Sequence, residues 1–111
     1  MPRDHKVYLD DIQEAIDKIA RYVAGCSLET FRSEERTVDA VLRNLGVIGE
    51  AVRSVPEDVR SRHPTVDCRK IAGLRDILIH EYFGVDLEII WDIIENKLPA
   101  PSHEIRCALA E

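Results

Sequence analysis

One stretch of this chain concentrates side chains that move protons and grip anions. Leu74-Arg75-Asp76-Ile77-Leu78-Ile79-His80-Glu81-Tyr82 brings together an arginine, carboxylates, an imidazole and a phenol. Histidine titrates nearest to neutrality, so His80 is the acid–base candidate. Arginine is permanently charged and its planar fork matches phosphate oxygens, which makes Arg75 the anion-binding candidate. Asp76 and His80 are four residues apart, so on a helix the carboxylate reaches the ring, orients it and favours its protonated form. Tyr82 adds a hydroxyl. By spacing alone, the same residues also describe a plain helix with polar edges.

The helical geometry says more. Successive residues rotate by about 100°, so Ile71, Leu74, Leu78 and Tyr82 share one face, flanked by Ile77 and Ile79. The remaining strip holds Gly73, Asp76 and His80. A helix this apolar is buried, and its polar strip faces a cleft or a second subunit. Gly73 would let another helix approach closely. Arg75 and Tyr82 lie on nearly the same side, but an ideal helix separates Arg75 from His80 by about 140°. One copy therefore does not present all four groups on one surface, whereas two copies on a two-fold axis can.

The elements that must position this segment read as helices. Residues 4–24 repeat Ile12, Ile16, Ile19 and Val23 at helical spacing, with Asp4 as a candidate N-cap and Gly25 as a C-terminal stop. Residues 26–31 form a connector with a short helical turn that Ser27 can cap. A long helix over about 34–54 carries Val38, Val41, Leu42, Leu45, Ile48 and Val52 as one stripe. Gly46 and Gly49 interrupt it, at a cost of roughly 1 kcal/mol each relative to Ala. Either another backbone comes close there or the glycines are simply tolerated. Glu50 lies opposite the stripe. Pro56 opens a short segment that Pro64 ends, and residues 67–83 form the motif helix, stopped by Gly84. Asp86 caps a helix over 87–96 with Leu87, Ile90, Trp91 and Ile94 on one face, and Pro99 and Pro101 break it. Residues 102–110 make a last short helix. No strand-like alternation stands out, so the expected fold is all-α: a single domain over 1–111, an antiparallel bundle of four to five helices.

Composition bounds the function. The chain has 111 residues and a formal charge of −6, which argues against holding nucleic acid by bulk charge. The charge is uneven: residues 1–50 carry 7 basic and 10 acidic side chains, residues 51–75 carry 6 and 3, and residues 76–111 carry 2 and 8. The middle block is the one net-positive stretch, either a solvated surface or an anion-facing patch. With aromatics at 5%, a base-stacking platform is not expected. Cys26, Cys68 and Cys107 are odd in number and far apart, which fits reduced thiols in a cytoplasmic protein better than a disulfide framework. No CxxC or HExxH occurs, and no metal or cofactor is expected. No apolar run is long enough to span a membrane, and the charged start is not a signal core. His63 and His103 read as surface residues and Trp91 as core packing.

Arg75-Asp76-Ile77-Leu78-Ile79-His80-Glu81-Tyr82 matches the Arg-x4-His-x-Tyr motif of HEPN-domain toxins, and nearly the whole chain resembles the HepT family, the toxin half of prokaryotic HepT–MntA pairs. Asp39 to Leu45 with Ile48-Gly49-Glu50-Ala51 resembles that family's long-helix signature. Gly73-Leu74-Arg75 and His80 to Asp86 extend the motif, and Trp91, Ile94 and Leu98-Pro99 also fit. Many members have Asn where this chain has Asp76. The resemblance implies a HEPN-like homodimer with a composite ribonuclease site at its interface. It also implies a partner, a minimal nucleotidyltransferase antitoxin that uses ATP to adenylylate the motif tyrosine, here Tyr82.

On that resemblance, the expected reaction is metal-independent cleavage of RNA, with the 2′-OH attacking the adjacent phosphate. His80 handles the proton, Arg75 stabilises the phosphate charge, Asp76 orients His80, and Tyr82 holds the phosphate or the leaving group. Glu50, Arg53, Arg69 and Lys70 are supporting candidates, the basic ones guiding RNA to the cleft. Two alternatives stay open. One is a catalytically silent HEPN module that dimerises, binds nucleotide and serves a nucleotidyltransferase. The other is a helical antitoxin or scaffold with no site.

Overall fold

The structure is a computed structural model and describes residues 5–62 and 86–110. The motif residues Arg75, Asp76, His80 and Tyr82 lie outside the described residues, as do Arg69, Lys70, Gly73, His63, Cys68, Gly84 and the candidate cap Asp4.

The first helix, α1 (His5–Val23), turns Leu9, Ile12, Ile16 and Ile19 inward at spacings of three and four, with Ala15 beside them. It stops at Gly25, whose φ of +76° is a left-handed conformation that costs glycine nothing. The Cys26 N–H then donates to the Val23 carbonyl at 2.9 Å, satisfying an end-of-helix acceptor.

A six-residue helix, α2 (Leu28–Ser33), follows. Ser27 caps it as expected: its Oγ accepts from the Thr30 N–H at 3.2 Å. The purpose of α2 is Phe31, which is fully buried and sits with its ring centroid 5.2 Å from that of Trp91 in a tilted pair.

The long helix α3 (Glu35–Ser54) buries Val41, Leu42, Leu45, Ile48 and Val52 of the stripe read from the sequence, while Val38 is half-buried against the core. It packs along the whole of α1, and the two run antiparallel: Tyr22 stands beside Ala40 at one end and Tyr8 beside Ser54 at the other. Burying each Leu or Ile side chain contributes roughly 1.5–3 kcal/mol, so this seam dominates the core. The helix ends at Val55, and the Pro56 carbonyl accepts from Val59 and Arg60 to start α4 (Glu57–Arg62).

Past the undescribed stretch, Asp86 caps α5 (Leu87–Asp92), its carboxylate accepting from the Glu88 N–H at 2.9 Å. Two features differ from the expected single helix over 87–96. Residues Ile93–Lys97 widen into a π-helical turn, with the Leu98 N–H donating to the Ile93 carbonyl five residues back at 3.0 Å. The helical run does end before the prolines, at Lys97, but the prolines then begin the next helix at once. Pro99 opens the last helix, α6 (Pro99–Leu109), three residues before the expected start at Ser102. First-turn N–H groups have no intrahelical acceptor, so prolines in that turn lose nothing. The α6 helix lies against α1, where Arg106 reaches Asp17 at 3.3 Å.

One cluster of buried apolar residues runs through α1, α2, α3, α4, α5, the π turn and α6. Among the described residues there is no strand, as the all-α expectation requires, and no helix long and apolar enough to cross a membrane.

Candidate functional site

The segment that carries the motif is bracketed by described elements. It leaves α4 after Arg62 and re-enters at Asp86, the cap of α5. Both ends are therefore anchored by helices whose apolar residues, Val59 and Ile90, are in the common core.

Of the supporting candidates, Glu50 and Arg53 are described. Both stand on the C-terminal half of α3, exposed and off its buried stripe, because the stripe claims Ile48, Ala51 and Val52. Each has an interaction within the chain. Glu50 lines an open groove of about 400 Å³ between α1 and α3, together with Tyr8, Arg43, Val47 and Ser54. A second groove of about 430 Å³ continues it toward Tyr22, sharing Asp11, Arg43 and Val47. The two grooves share one floor, the seam where α1 and α3 meet.

The basic block of residues 51–75 is partly accounted for. Arg60 is half-buried and its guanidinium lies 3.5 Å from the Glu57 carboxylate, three residues back on α4. Arg53 and Arg62 are exposed, each with an interaction within the chain. Arg60 is thus committed locally, and within the described part of the block Arg53 and Arg62 are the outward-facing cations.

His103 is exposed on α6, as read from the sequence, with its Nε2 3.9 Å from the Cys107 sulfur one turn on. Trp91 is half-buried against Phe31, in keeping with a packing role. Among the described residues no three His, Cys, Asp or Glu side chains converge as a metal-binding group would.

Arg43 and Val47 were not singled out by sequence reasoning. The signal available was their position on α3, one turn apart and off the apolar stripe, at i and i+7 from Arg43 to Glu50. What periodicity alone does not say is that this strip is left open beside the groove.

Comparison with known proteins places the chain among ribonucleases. A family model described as Ribonuclease HepT-like matches residues 12–107. A protein of Thermococcus cleftensis named "Probable ribonuclease HepT" is 41% identical over 100 residues, covering 90% of this chain and 91% of that one. A protein of Methanocaldococcus jannaschii named as a candidate RNase is 43% identical over 106 residues, covering 95% of this chain and 88% of the relative. A further candidate RNase, from Caldanaerobacter subterraneus, is 38% identical over 99 residues, with 89% and 88% covered. No solved structure matches the chain.

Proposed function

The chain belongs to the HepT-like ribonuclease family, and from that premise we propose that it is the toxin of a toxin–antitoxin pair, cutting RNA at a site shared by two copies. The observation that carries this is the family match over residues 12–107, within which Arg75, His80 and Tyr82 stand at the Arg-x4-His-x-Tyr spacing. On an ideal helix Arg75 and His80 would stand about 140° apart, and that expectation supports a site that draws on both copies.

In the proposed reaction the ribose 2′-OH attacks the adjacent phosphorus and the bond to the 5′-oxygen breaks. A 2′,3′-cyclic phosphate and a 5′-hydroxyl result, with no change in oxidation state. The step needs a group to take the 2′ proton and one to return a proton to the leaving oxygen. His80 is suited to both because imidazole titrates near neutrality. Arg75 stabilises the charge that gathers on the phosphorane oxygens, where a fixed cation counts most. Asp76 orients His80, and Tyr82 holds the phosphate through its hydroxyl. No metal ion has a part in it. Glu50, Arg53, Arg69 and Lys70 are supporting residues, the cations drawing RNA to an otherwise acidic body.

The partner is a minimal nucleotidyltransferase using ATP. The Tyr82 oxygen attacks the α-phosphorus, O-AMP-tyrosine forms, and pyrophosphate and a proton leave. The added nucleotide places bulk and negative charge where the RNA phosphate must sit.

The test is cleavage of RNA by the purified chain beside Arg75→Ala and His80→Ala. Losing a positioned acid–base group removes about 10²–10⁴ in rate, so His80→Ala falls by at least about 100-fold. Equal rates in all three proteins overturn the proposal. A wild type that binds the transferase yet cuts no RNA is the result expected of a silent HEPN module.

A further inference from the structure

The exposed side of α3 carries an ordered pattern of charged and small residues. Asp39, Arg43, Gly46, Val47, Glu50 and Ser54 fall within about 60° of Arg43 on a helix that turns about 100° per residue. All are exposed except Gly46, which is half-buried, and Val47 keeps 40% of its surface in solvent. Gly46 weakens α3, yet among the described residues nothing lies within 4 Å of where its Cβ would stand. Within the described chain, then, no close approach explains this glycine.

The charges are ordered about the midpoint between Gly46 and Val47. Arg43 lies three residues before Gly46 and Glu50 three residues after Val47. Asp39 and Ser54 lie seven residues out on either side. If a second α3 is laid antiparallel across a two-fold axis at that midpoint, each Gly46 receives the partner's Val47. Each Arg43 then meets the partner's Glu50, twice over, and each Asp39 meets the partner's Ser54. Opposite charges at mirrored positions are what a self-complementary interface requires, and a different protein would need no such symmetry.

We propose that this strip of α3, centred on Gly46 and Val47, is the surface on which a second copy of the chain docks antiparallel. The proposal deepens the two-copy site above and rests on it for the need of a partner; the surface and register come from α3 itself. Gly46 sets how closely the helices approach, Val47 fills the space it leaves, and the two Arg43–Glu50 pairs fix direction and register. Glu50 also has an interaction within its own chain, and the pairing asks only that its carboxylate reach across as well.

Charge swapping tests this. Sedimentation equilibrium on the full chain gives a dimer dissociation constant for the wild type, Arg43→Glu, Glu50→Arg and the double variant. Each single variant sets like charges against each other and raises the constant at least about tenfold. The double variant restores the opposite pairing and returns the constant to within about threefold of wild type. Gly46→Leu, whose side chain meets nothing within 4 Å of its Cβ among the described residues, gives a monomer with wild-type helix content by circular dichroism. A wild-type dimer whose constant neither single variant moves overturns the surface and leaves the two-copy site standing. A double variant as weak as the singles also overturns it. So does a wild type that is monomeric alone and assembles only with the transferase, which assigns the face to that protein. A dimer that pairs as stated but cuts no RNA counts against the proposed function alone.

Discussion

Tyr82 has two duties in the proposed cycle, to hold a phosphate and to be silenced by one, and a single oxygen serves both. Removing that oxygen separates them. Tyr82→Phe keeps Arg75 and His80, so it retains part of the cleavage, but it offers the transferase no acceptor. Incubated with the partner and ATP, the wild type gains mass in multiples of AMP and loses RNase activity, while Tyr82→Phe does neither. Mass spectrometry reads the first and RNA cleavage the second. Modification of Tyr82→Phe to the wild-type extent would move the switch to another residue. Local chemistry of this kind is what a sequence displays best. Ser27, Asp86 and Gly25 were legible as caps and stop because each acts on backbone groups at most three residues away. Arg43 was not legible as a docking residue, because a charge on an exposed face acquires meaning only when the neighbouring elements leave that face uncovered.

At the scale of elements, the stripe of α3 and the inward face of α1 follow from period alone, since apolar side chains every three or four residues have one place to go. The end of α5 did not follow. A π turn adds one residue without changing residue types, and prolines read equally as stops or as starts until the first turn is located. The smallest element is the most exposed to a single change. Phe31 is the one fully buried side chain of α2, and it joins that helix to α5 through Trp91. Phe31→Ala should cost about 3–5 kcal/mol, the range for truncating a buried aromatic. Thermal and urea unfolding followed by circular dichroism measure it. A loss under about 1 kcal/mol would mean that α2 packs only loosely on the core.

For the whole molecule, a charge of −6 and a nucleic-acid substrate are compatible because cleavage asks for a local cationic cleft and not for a basic surface. The size of the chain fits the same account. A domain of 111 residues builds one helical core and, if Arg75 and His80 face apart, half a site in each copy. The functional unit is then the pair, and dilution should dismantle it. The decisive measurement is the rate of RNA cleavage as a function of protein concentration, with His80→Ala alongside and dimer content followed by sedimentation. The account predicts a rate that rises with the square of concentration below the dimer dissociation constant and linearly above it, and His80→Ala at background throughout. A rate that stays linear where the protein is monomeric, or a His80→Ala rate equal to wild type, would contradict it.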